Sequence, residues 1–332
     1  MVLPCFTGDP PQGRHRDPQG VFGVDAEACH SFLSFLEVIL PIRAKKWAKD
    51  RDLRGLEYIP SYFPVGETPF RCYNEEKGGD VPDHFDLVFL GVGNGFCPEL
   101  GNNNVLLQGK DNSLLIDCGC LTPLRLIERG DLREMEHILI THVHSDHVGG
   151  LELVALLNRY SFRKRPHLYL HEDLWDELWE KSLRGGLEKS QDGNGQPTVS
   201  PLSDYFEVHL LEGEKPSFSI PGLPSITLVP TVHVKGKPAF SLFLGDSVFY
   251  SSDSQLLPPT LGLDQEPLSA IFQDCQLGGP VSVHTTLERL SELPLEQKKS
   301  IYLMHYCLGY ESVDAKSLGF RGFVPRGKKI SL

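Results

Sequence analysis

Short apolar runs recur along the chain from residue 85 onward, and segments with helical spacing separate many of them. The apolar runs predict buried strands, and apolar residues at every third or fourth position predict amphipathic helices. Strands are predicted at residues 85–90, 105–107, 113–116, 138–140, 167–170, 205–211, 225–234, 240–244, 248–251, 270–272 and 301–304. Helices are predicted at residues 121–129, 151–160, 172–183 and 287–293, and a polar linker at residues 185–201. Such alternation is typical of an α/β sandwich.

The N-terminal part of the chain, residues 1–84, lacks this alternation. Most of it is rich in proline, glycine and polar residues, which favours loops. Residues 25–50 carry a wide apolar face and predict a helix, which Pro41 should kink or break. We therefore divide the chain into an N-terminal extension of unknown role and a main domain over residues 85–332. The apolar face of the extension is expected to pack on the main domain or on a partner chain.

The composition narrows the choice of partners. The chain has 332 residues and a formal net charge of −12, which disfavours long nucleic acid as a partner. Small anionic substrates remain compatible with this charge, because bound metal ions would reverse the local field. The longest apolar cluster, residues 32–42, is too short to span a bilayer. Residues 1–6 show no basic segment followed by an apolar one, so we expect no secretory signal. The eight cysteines are scattered, so we expect reduced thiols, a cytoplasmic location and no membrane partner.

The most informative segment is Thr141-His142-Val143-His144-Ser145-Asp146-His147, which directly follows an apolar run. Alternate residues of an extended chain face the same side, so the His-x-His pair delivers two imidazoles to one point. The Asp-His pair that follows turns the opposite way and can hold a second ion. The segment therefore predicts a site for two metal ions, and such sites usually catalyse hydrolysis.

Further metal-competent side chains follow apolar runs elsewhere in the main domain. A neutral histidine or a carboxylate at the end of a rigid strand is well placed to bind a metal ion. These residues are Asp117, His233, Asp253 and His305. The remaining histidines, among them His137, His167 and His209, are expected to have no chemical role.

The order of these motifs resembles the metallo-β-lactamase fold superfamily over about residues 85–325. The motifs are Ile116-Asp117-Cys118-Gly119, the histidine-rich segment 141–147, His233, Ser251-Ser252-Asp253-Ser254 and His305. The resemblance implies an αββα sandwich with the site at one edge between the two sheets. It also implies a homodimer, which the apolar face of residues 25–50 would suit.

The resemblance implies a role for each of these residues. One metal ion would be bound by His142, His144 and His233. The other would be bound by Asp146, His147 and His305, and Asp253 would bridge both ions. Asp117 would orient a ligand without binding metal. The predicted ions are two zinc ions, although mixed nitrogen and oxygen ligands also admit manganese.

One motif narrows the resemblance to ribonuclease Z and related cyclic-nucleotide phosphodiesterases. Val283-His284-Thr285-Thr286 lies at the head of a predicted helix, 21 residues before His305. The resemblance implies that His284 contacts the scissile phosphate and helps to protonate the leaving oxygen. Asp274 is the predicted orienting residue for His284. The loop over residues 91–104 is expected to cover the substrate, and its candidate substrate-binding residues are Asn94, Asn103 and Asn104.

The chain departs from ribonuclease Z in one respect. Only 19 residues separate His233 from Asp253, so the tRNA-binding arm of that enzyme does not fit between them. Together with the acidic charge, this argues against tRNA processing and favours a small phosphodiester such as a cyclic or short nucleotide. The expected mechanism is in-line attack of a metal-bridging hydroxide on phosphorus, with Asp146 and His284 as the catalytic residues.

Two other functions stay open at the level of the sequence. A relative with the same fold could instead hydrolyse a thioester, a lactone or another acyl bond, and would not need His284. The main domain could also be a metal-binding scaffold in a larger assembly, with the N-terminal extension as an interaction module.

Overall fold

The computed structural model describes residues 84–192, 194–259, 268–279 and 283–332. The predicted N-terminal extension and its helix over residues 25–50 lie outside the described residues, apart from His84.

One sheet is built from the first half of the main domain and from its last strand. Its seven strands, in spatial order, are β16 (Lys329–Ser331), β1 (Asp86–Phe89), β2 (Val105–Gln108), β3 (Ser113–Ile116), β4 (His137–Ile140), β5 (His167–His171) and β8 (Glu207–Leu211). Strands β3, β4, β5 and β8 are parallel, and the other pairs are antiparallel. The carboxyl ends of the parallel strands therefore meet at one edge of the sheet.

A second sheet is built from the other half of the main domain. Its seven strands, in spatial order, are β15 (Gly322–Phe323), β14 (Ile301–Met304), β13 (Ala270–Asp274), β12 (Val248–Tyr250), β11 (Phe240–Leu244), β10 (Ile226–Pro230) and β9 (Ser217–Phe218). Strands β12 to β15 are parallel, and β9 to β12 are antiparallel.

The two sheets share one hydrophobic core. Phe89 of the first sheet contacts Phe272 and Tyr250 of the second, with ring centroids 5.3 Å and 6.4 Å apart. All three side chains are buried. Strands that are covered on both faces have continuous apolar sequences. The short continuous apolar segments of this chain therefore match an architecture of two packed sheets. The predicted α/β fold with two packed sheets is confirmed.

The helices connect strands of the two sheets. They are α1 (Thr122–Arg129), α2 (Ser145–Val148), α3 (Leu151–Leu156), α4 (Arg184–Leu187), α5 (Leu287–Ser291) and α6 (Leu295–Lys298). The predicted helices over 151–160 and 172–183 contain wider turns, because Leu157–Phe162 and Asp176–Leu183 are π-helical. None of the helices in the described ranges is long and apolar enough to cross a membrane.

The predicted linker over residues 185–201 is more ordered than expected. It contains α4 and a two-stranded hairpin of β6 (Lys189–Gln191) and β7 (Pro197–Val199). The Asp192 carboxylate accepts hydrogen bonds from the backbone of Asn194 and Gln196 and thereby fixes the turn. The hairpin side chains are exposed or half-buried, so this hairpin has no apolar alternation from which it could be predicted.

Candidate metal centre

The residues of the predicted metal site converge where strands of both sheets end. Asp117 and His142 follow β3 and β4 of the first sheet, whereas Asp253 and His305 follow β12 and β14 of the second. His233 lies in the turn between β10 and β11. The structure thus brings together residues that are up to 188 positions apart in the sequence, from Asp117 to His305.

The backbone is strained at this point. Only four residues other than glycine have a positive φ within the described ranges, and three of them lie here. They are Asp117 (φ 63°), Ser252 (φ 52°) and His305 (φ 57°). Such conformations persist where surrounding structure enforces them, and they concentrate at functional sites.

The first group of candidate ligands contains three imidazoles and one carboxylate. His144 Nδ1 lies 3.2 Å from His142 Nε2 and 3.1 Å from His233 Nε2. Asp253 Oδ2 lies 3.8 Å from His142 Nε2 and 3.7 Å from His233 Nε2. These separations allow the four atoms to contact one ion.

The second group contains two imidazoles and two carboxylates. His147 Nε2 lies 3.4 Å from Asp146 Oδ2 and 3.4 Å from Asp253 Oδ2. His305 Nε2 lies 3.5 Å from Asp146 Oδ2 and 3.3 Å from Asp253 Oδ2. Asp253 Oδ2 therefore belongs to both groups, which is the position that a bridging ligand needs.

Electrostatics keep two imidazoles of the first group neutral. Burial and the neighbouring imidazole of His147 hold the pKa of His142 well below its ordinary value. Burial, together with the nearby His233 and Lys237, lowers the pKa of His144 to about 4. Because a histidine must be unprotonated to bind a metal ion, these two imidazoles are ready ligands at neutral pH.

The second group has an excess of carboxylates. Burial opposes protonation of His305, yet Asp253, Asp146 and Asp274 raise its pKa to about 10. Burial opposes protonation of His147 as well, and Asp253 and Asp117 raise its pKa well above the ordinary value. Without a cation these imidazoles take up protons to balance the carboxylates, and a divalent ion would supply that positive charge instead.

Buried atoms that lack hydrogen bonds fit the same interpretation. Within the described ranges, His147 Nε2, His305 Nε2 and Asp253 Oδ1 are buried and make no hydrogen bond. Leaving such atoms unsatisfied is costly. All three belong to the second group or to its shared carboxylate, so coordination of an ion would satisfy them.

Asp117 holds a ligand histidine in place. Its Oδ2 lies 2.8 Å from His147 Nδ1, and its Oδ1 accepts the Thr141 backbone N–H at 2.8 Å. The Thr141 hydroxyl is 2.7 Å from Asp117 Oδ2 and 2.8 Å from the Ser252 hydroxyl. Because Nδ1 of His147 is engaged, its Nε2 is the atom left for a metal ion.

Asp274 contacts both His284 and His305. Its Oδ2 lies 2.7 Å from His284 Nδ1 and accepts the Ser254 backbone N–H at 2.9 Å. Its Oδ1 lies 3.3 Å from His305 Nδ1. The His284 ring lies 4.7 Å from the His305 ring and 4.9 Å from the His233 ring, measured between centroids. His284 therefore stands beside one candidate ligand from each group.

The predicted substrate-binding asparagines occupy different environments. Asn104 is fully buried, and its amide donates to the Asp146 carbonyl and accepts from the Gly119 backbone and the Thr122 hydroxyl. Asn103 is also fully buried, with its amide nitrogen 3.3 Å from the Tyr250 hydroxyl. The Asn104 side chain thus supports the surrounding backbone, and contact of Asn103 and Asn104 with substrate stays a prediction.

Asn94 keeps a partly open position. Its side chain is half-buried, and its Oδ1 accepts the Phe96 backbone N–H at 3.0 Å. Phe96 is 96% exposed, and a Cβ on the neighbouring Gly95 would lie 3.0 Å from Asp146 Oδ2. The loop over residues 91–104 thus passes beside Asp146 of the second group of ligands.

Sequence reasoning missed several supporting residues. Asn102 is buried and accepts hydrogen bonds from the Leu121 backbone and the Cys120 thiol. Lys237 donates to the Val143 carbonyl within the histidine-rich segment. A loop asparagine or a lone lysine carries no pattern that would distinguish it, so these contacts are visible only in the folded chain.

The main domain matches one protein family over nearly its whole length. The family described as "Anti-Pycsar protein Apyc1" matches residues 85–330. An anti-Pycsar protein Apyc1 from Paenibacillus sp. (strain J14) is 42% identical over 229 residues, which cover 68% of this chain and 91% of the relative. The chain belongs to the anti-Pycsar Apyc1 family. The residues that match the family include the whole candidate metal centre.

Solved structures identify the fold of this family member. The metallo-β-lactamase fold protein YhfI from Bacillus subtilis matches with a TM-score of 0.56 and 17% identity, over 75% of this chain and 100% of that chain. A diphosphatase from the PhnP family matches with a TM-score of 0.56 and 21% identity, over 74% of this chain and 97% of that chain. The predicted metallo-β-lactamase fold is confirmed.

Gly119 gives a test of how tightly the centre is packed. A Cβ at this position would lie 2.0 Å from the Asp146 carbonyl oxygen, so Gly119→Ala must displace the backbone that carries a candidate ligand. We expect the free energy of unfolding to fall by about 3 kcal/mol and hydrolysis to slow about 100-fold. Chemical denaturation and initial rates measure the two effects.

The matched control for that substitution is Gly185→Ala. A Cβ at Gly185 would meet no atom within 4 Å, and the residue lies in α4. Alanine there should be neutral or stabilise the helix by roughly 0.5–1 kcal/mol. Equal effects of the two substitutions would contradict the close packing of Gly119 against Asp146.

Proposed function

We propose that the chain is a dinuclear metal-dependent phosphodiesterase that hydrolyses a cyclic nucleotide. The observation that carries this proposal is the pair of ligand groups that share Asp253 Oδ2. His142, His144 and His233 would hold one ion, and Asp146, His147 and His305 the other. When bound, two such ions activate water and neutralise the charge of a phosphate ester in the transition state.

The cyclic-nucleotide substrate is supported by the family and by the shape of the domain. The family is named for opposing Pycsar, which depends on cyclic-pyrimidine signalling. Between His233 and Asp253 the chain forms only β11, β12 and their turns, so no arm for a large RNA is present there. The net charge of −12 also disfavours a long polyanion. A small phosphodiester fits all three observations.

His284 is the proposed general acid. Asp274 engages Nδ1 of its ring at 2.7 Å, which leaves Nε2 as the nitrogen that can donate a proton. Its side chain is 20% exposed, whereas the candidate ligands around it are more deeply buried. A histidine that is held in one orientation at the open side of the centre is suited to protonate the departing ribose oxygen.

A nucleotide panel tests the function directly. The full-length protein would be incubated with cyclic mononucleotides, cyclic dinucleotides, bis(p-nitrophenyl) phosphate and a thioester, and the metal content of the same sample would be measured. We expect hydrolysis of a cyclic nucleotide and of bis(p-nitrophenyl) phosphate by protein that holds about two ions per chain. Cleavage of the thioester alone would show an acyl hydrolase, and a metal-free, inactive protein would show a scaffold.

Removal of the ions gives a second test. Dialysis against a chelator is expected to abolish hydrolysis and to lower the melting temperature, because bound ions stabilise the folded state over the unfolded state. Zinc is the proposed metal, since the site offers five imidazoles and two carboxylates. Addition of Zn²⁺ or Mn²⁺ to the dialysed protein should restore activity. Full activity after complete removal of metal would refute the two-ion proposal.

The predicted homodimer and cytoplasmic location belong to the same proposal. The segment with the apolar face, residues 25–50, lies outside the described residues, so only measurement can test its part in dimerisation. Sedimentation equilibrium should give twice the chain mass of 37.1 kDa. A mass that stays at one chain over the accessible concentrations would remove the dimer from the proposal.

A further inference from the structure

A second cluster of histidines lies at the other end of the first sheet. The neighbouring parallel strands β4, β5 and β8 begin with His137, His167 and Glu207, respectively. These three residues are adjacent in register. His209 lies two residues beyond Glu207 and so projects from the same face of β8. His142 follows the opposite end of β4, and five residues of strand span about 16 Å. The cluster is therefore separate from the candidate metal centre.

Three atoms of the cluster are placed close enough to share an ion. His167 Nδ1 lies 2.8 Å from His209 Nε2. Glu207 Oε1 lies 3.7 Å from His167 Nδ1 and 4.0 Å from His209 Nε2. In a tetrahedral zinc site with bonds of 2.0–2.1 Å, ligand atoms are about 3.3 Å apart. Small rotations of the three side chains would bring their atoms to that spacing.

The charges around the cluster suit a cation. The Glu207 side chain is 47% exposed and supplies a negative charge at the surface.

We propose that His167, Glu207 and His209 bind one divalent transition-metal ion, with zinc as the best-suited metal. Two imidazoles and one carboxylate are a common zinc donor set, and the exposed side of Glu207 leaves the fourth position to water. The ion would link β5 to β8, which is the edge strand of the first sheet. Its role is structural, because the cluster is remote from the phosphodiesterase centre. The competing interpretation is a hydrogen bond between His167 and His209 without metal.

The proposal is tested by counting zinc ions at a fixed free Zn²⁺ concentration. Full-length wild-type protein and the variants His167→Asn and Glu207→Gln would be brought to equilibrium by dialysis against buffered Zn²⁺. We expect each variant to hold one ion fewer per chain than the wild type and to hydrolyse substrate at the wild-type rate. His84→Asn is the matched control, because His84 is exposed and lies outside the cluster.

The difference between wild type and variant decides the outcome, whatever the total number of ions. Loss of about one ion in both variants, with the control unchanged, supports the third site. Equal zinc content in all four proteins overturns it and leaves the His167–His209 hydrogen bond as the explanation. Far-UV circular dichroism checks that the variants are folded. Glu207→Gln keeps the test available if His167→Asn does not fold, since Glu207 is the more exposed residue.

Discussion

Replacement of Asp146 with alanine is expected to lower kcat/KM for cyclic-nucleotide hydrolysis about 10⁴-fold or more, the scale on which loss of a central catalytic group acts. Asp146 Oδ2 lies 3.4 Å from His147 Nε2 and 3.5 Å from His305 Nε2. It is the one carboxylate that belongs to the second ligand group and not to the first. Its loss should therefore remove one ion and leave the other.

The same substitution should leave the fold largely intact. Asp146 lies in the short helix α2 at the edge of the sheets and is not part of the hydrophobic core that the two sheets share. Burial opposes ionisation of Asp146, but His147 and His305 lower its pKa. The ionised carboxylate therefore stabilises the folded protein at pH values above the usual carboxyl pKa, and the alanine variant loses this contribution. We expect a cooperative unfolding transition at a moderately lower denaturant concentration.

Metal analysis and initial rates on the same preparation measure both effects. Asp246→Ala is the control, because Asp246 is exposed in the turn between β11 and β12. The control should retain its metal content and rate. Wild-type turnover by Asp146→Ala would contradict the assignment of Asp146 as a ligand and, with it, the two-ion mechanism.

Much of the architecture was predictable because the fold uses buried parallel strands. Such strands appear in the sequence as continuous apolar runs, and the predicted strands at 113–116, 138–140 and 301–304 coincide with β3, β4 and β14 to within one residue. Metal-competent residues directly after these runs indicated where the strand ends meet. Within each sheet, parallel strand ends share one edge, so this part of the convergence could be inferred without coordinates. The meeting of the two sheets at one site was implied only by the resemblance.

Other features depend on contacts that are not local in sequence. The C-terminal strand β16 pairs with β1 across more than 200 residues, and its short polar sequence Lys329–Ser331 predicts no strand. Asn103 and Asn104 resembled substrate-binding residues because they stand in a glycine-rich loop. Their complete burial results from the packing of that loop against the Gly119 turn and Tyr250, which only the folded chain shows.

The cluster at the other end of the sheet illustrates the same limit. His167, Glu207 and His209 are ordinary residues at the start of two strands, and no motif joins them. The pairing register of β5 and β8 alone places them side by side. A sequence pattern identifies ligands that share one turn, as in segment 141–147, far more readily than ligands that share a sheet register.

Replacement of His284 with alanine is expected to lower kcat for a cyclic nucleotide by about 10²–10⁴-fold, the range typical for loss of a general acid. The metal content should stay unchanged, because His284 is not required in either of the two ligand groups that share Asp253 Oδ2 in the proposed centre. KM should change less than kcat, since a proton is transferred only in the transition state. His84→Ala serves as the control for loss of an exposed imidazole.

A comparison of two substrates shows whether His284 acts as a general acid or only supports the structure of the centre. The ribose oxygen that leaves a cyclic nucleotide is a strong base and needs a proton, whereas p-nitrophenolate leaves without one. His284→Ala should therefore slow bis(p-nitrophenyl) phosphate hydrolysis far less than cyclic-nucleotide hydrolysis. Equal losses with both substrates would assign His284 a structural role through Asp274, whose carboxylate also contacts His305. Asp274 variants cannot make this distinction, because they disturb the proposed acid and a proposed ligand together.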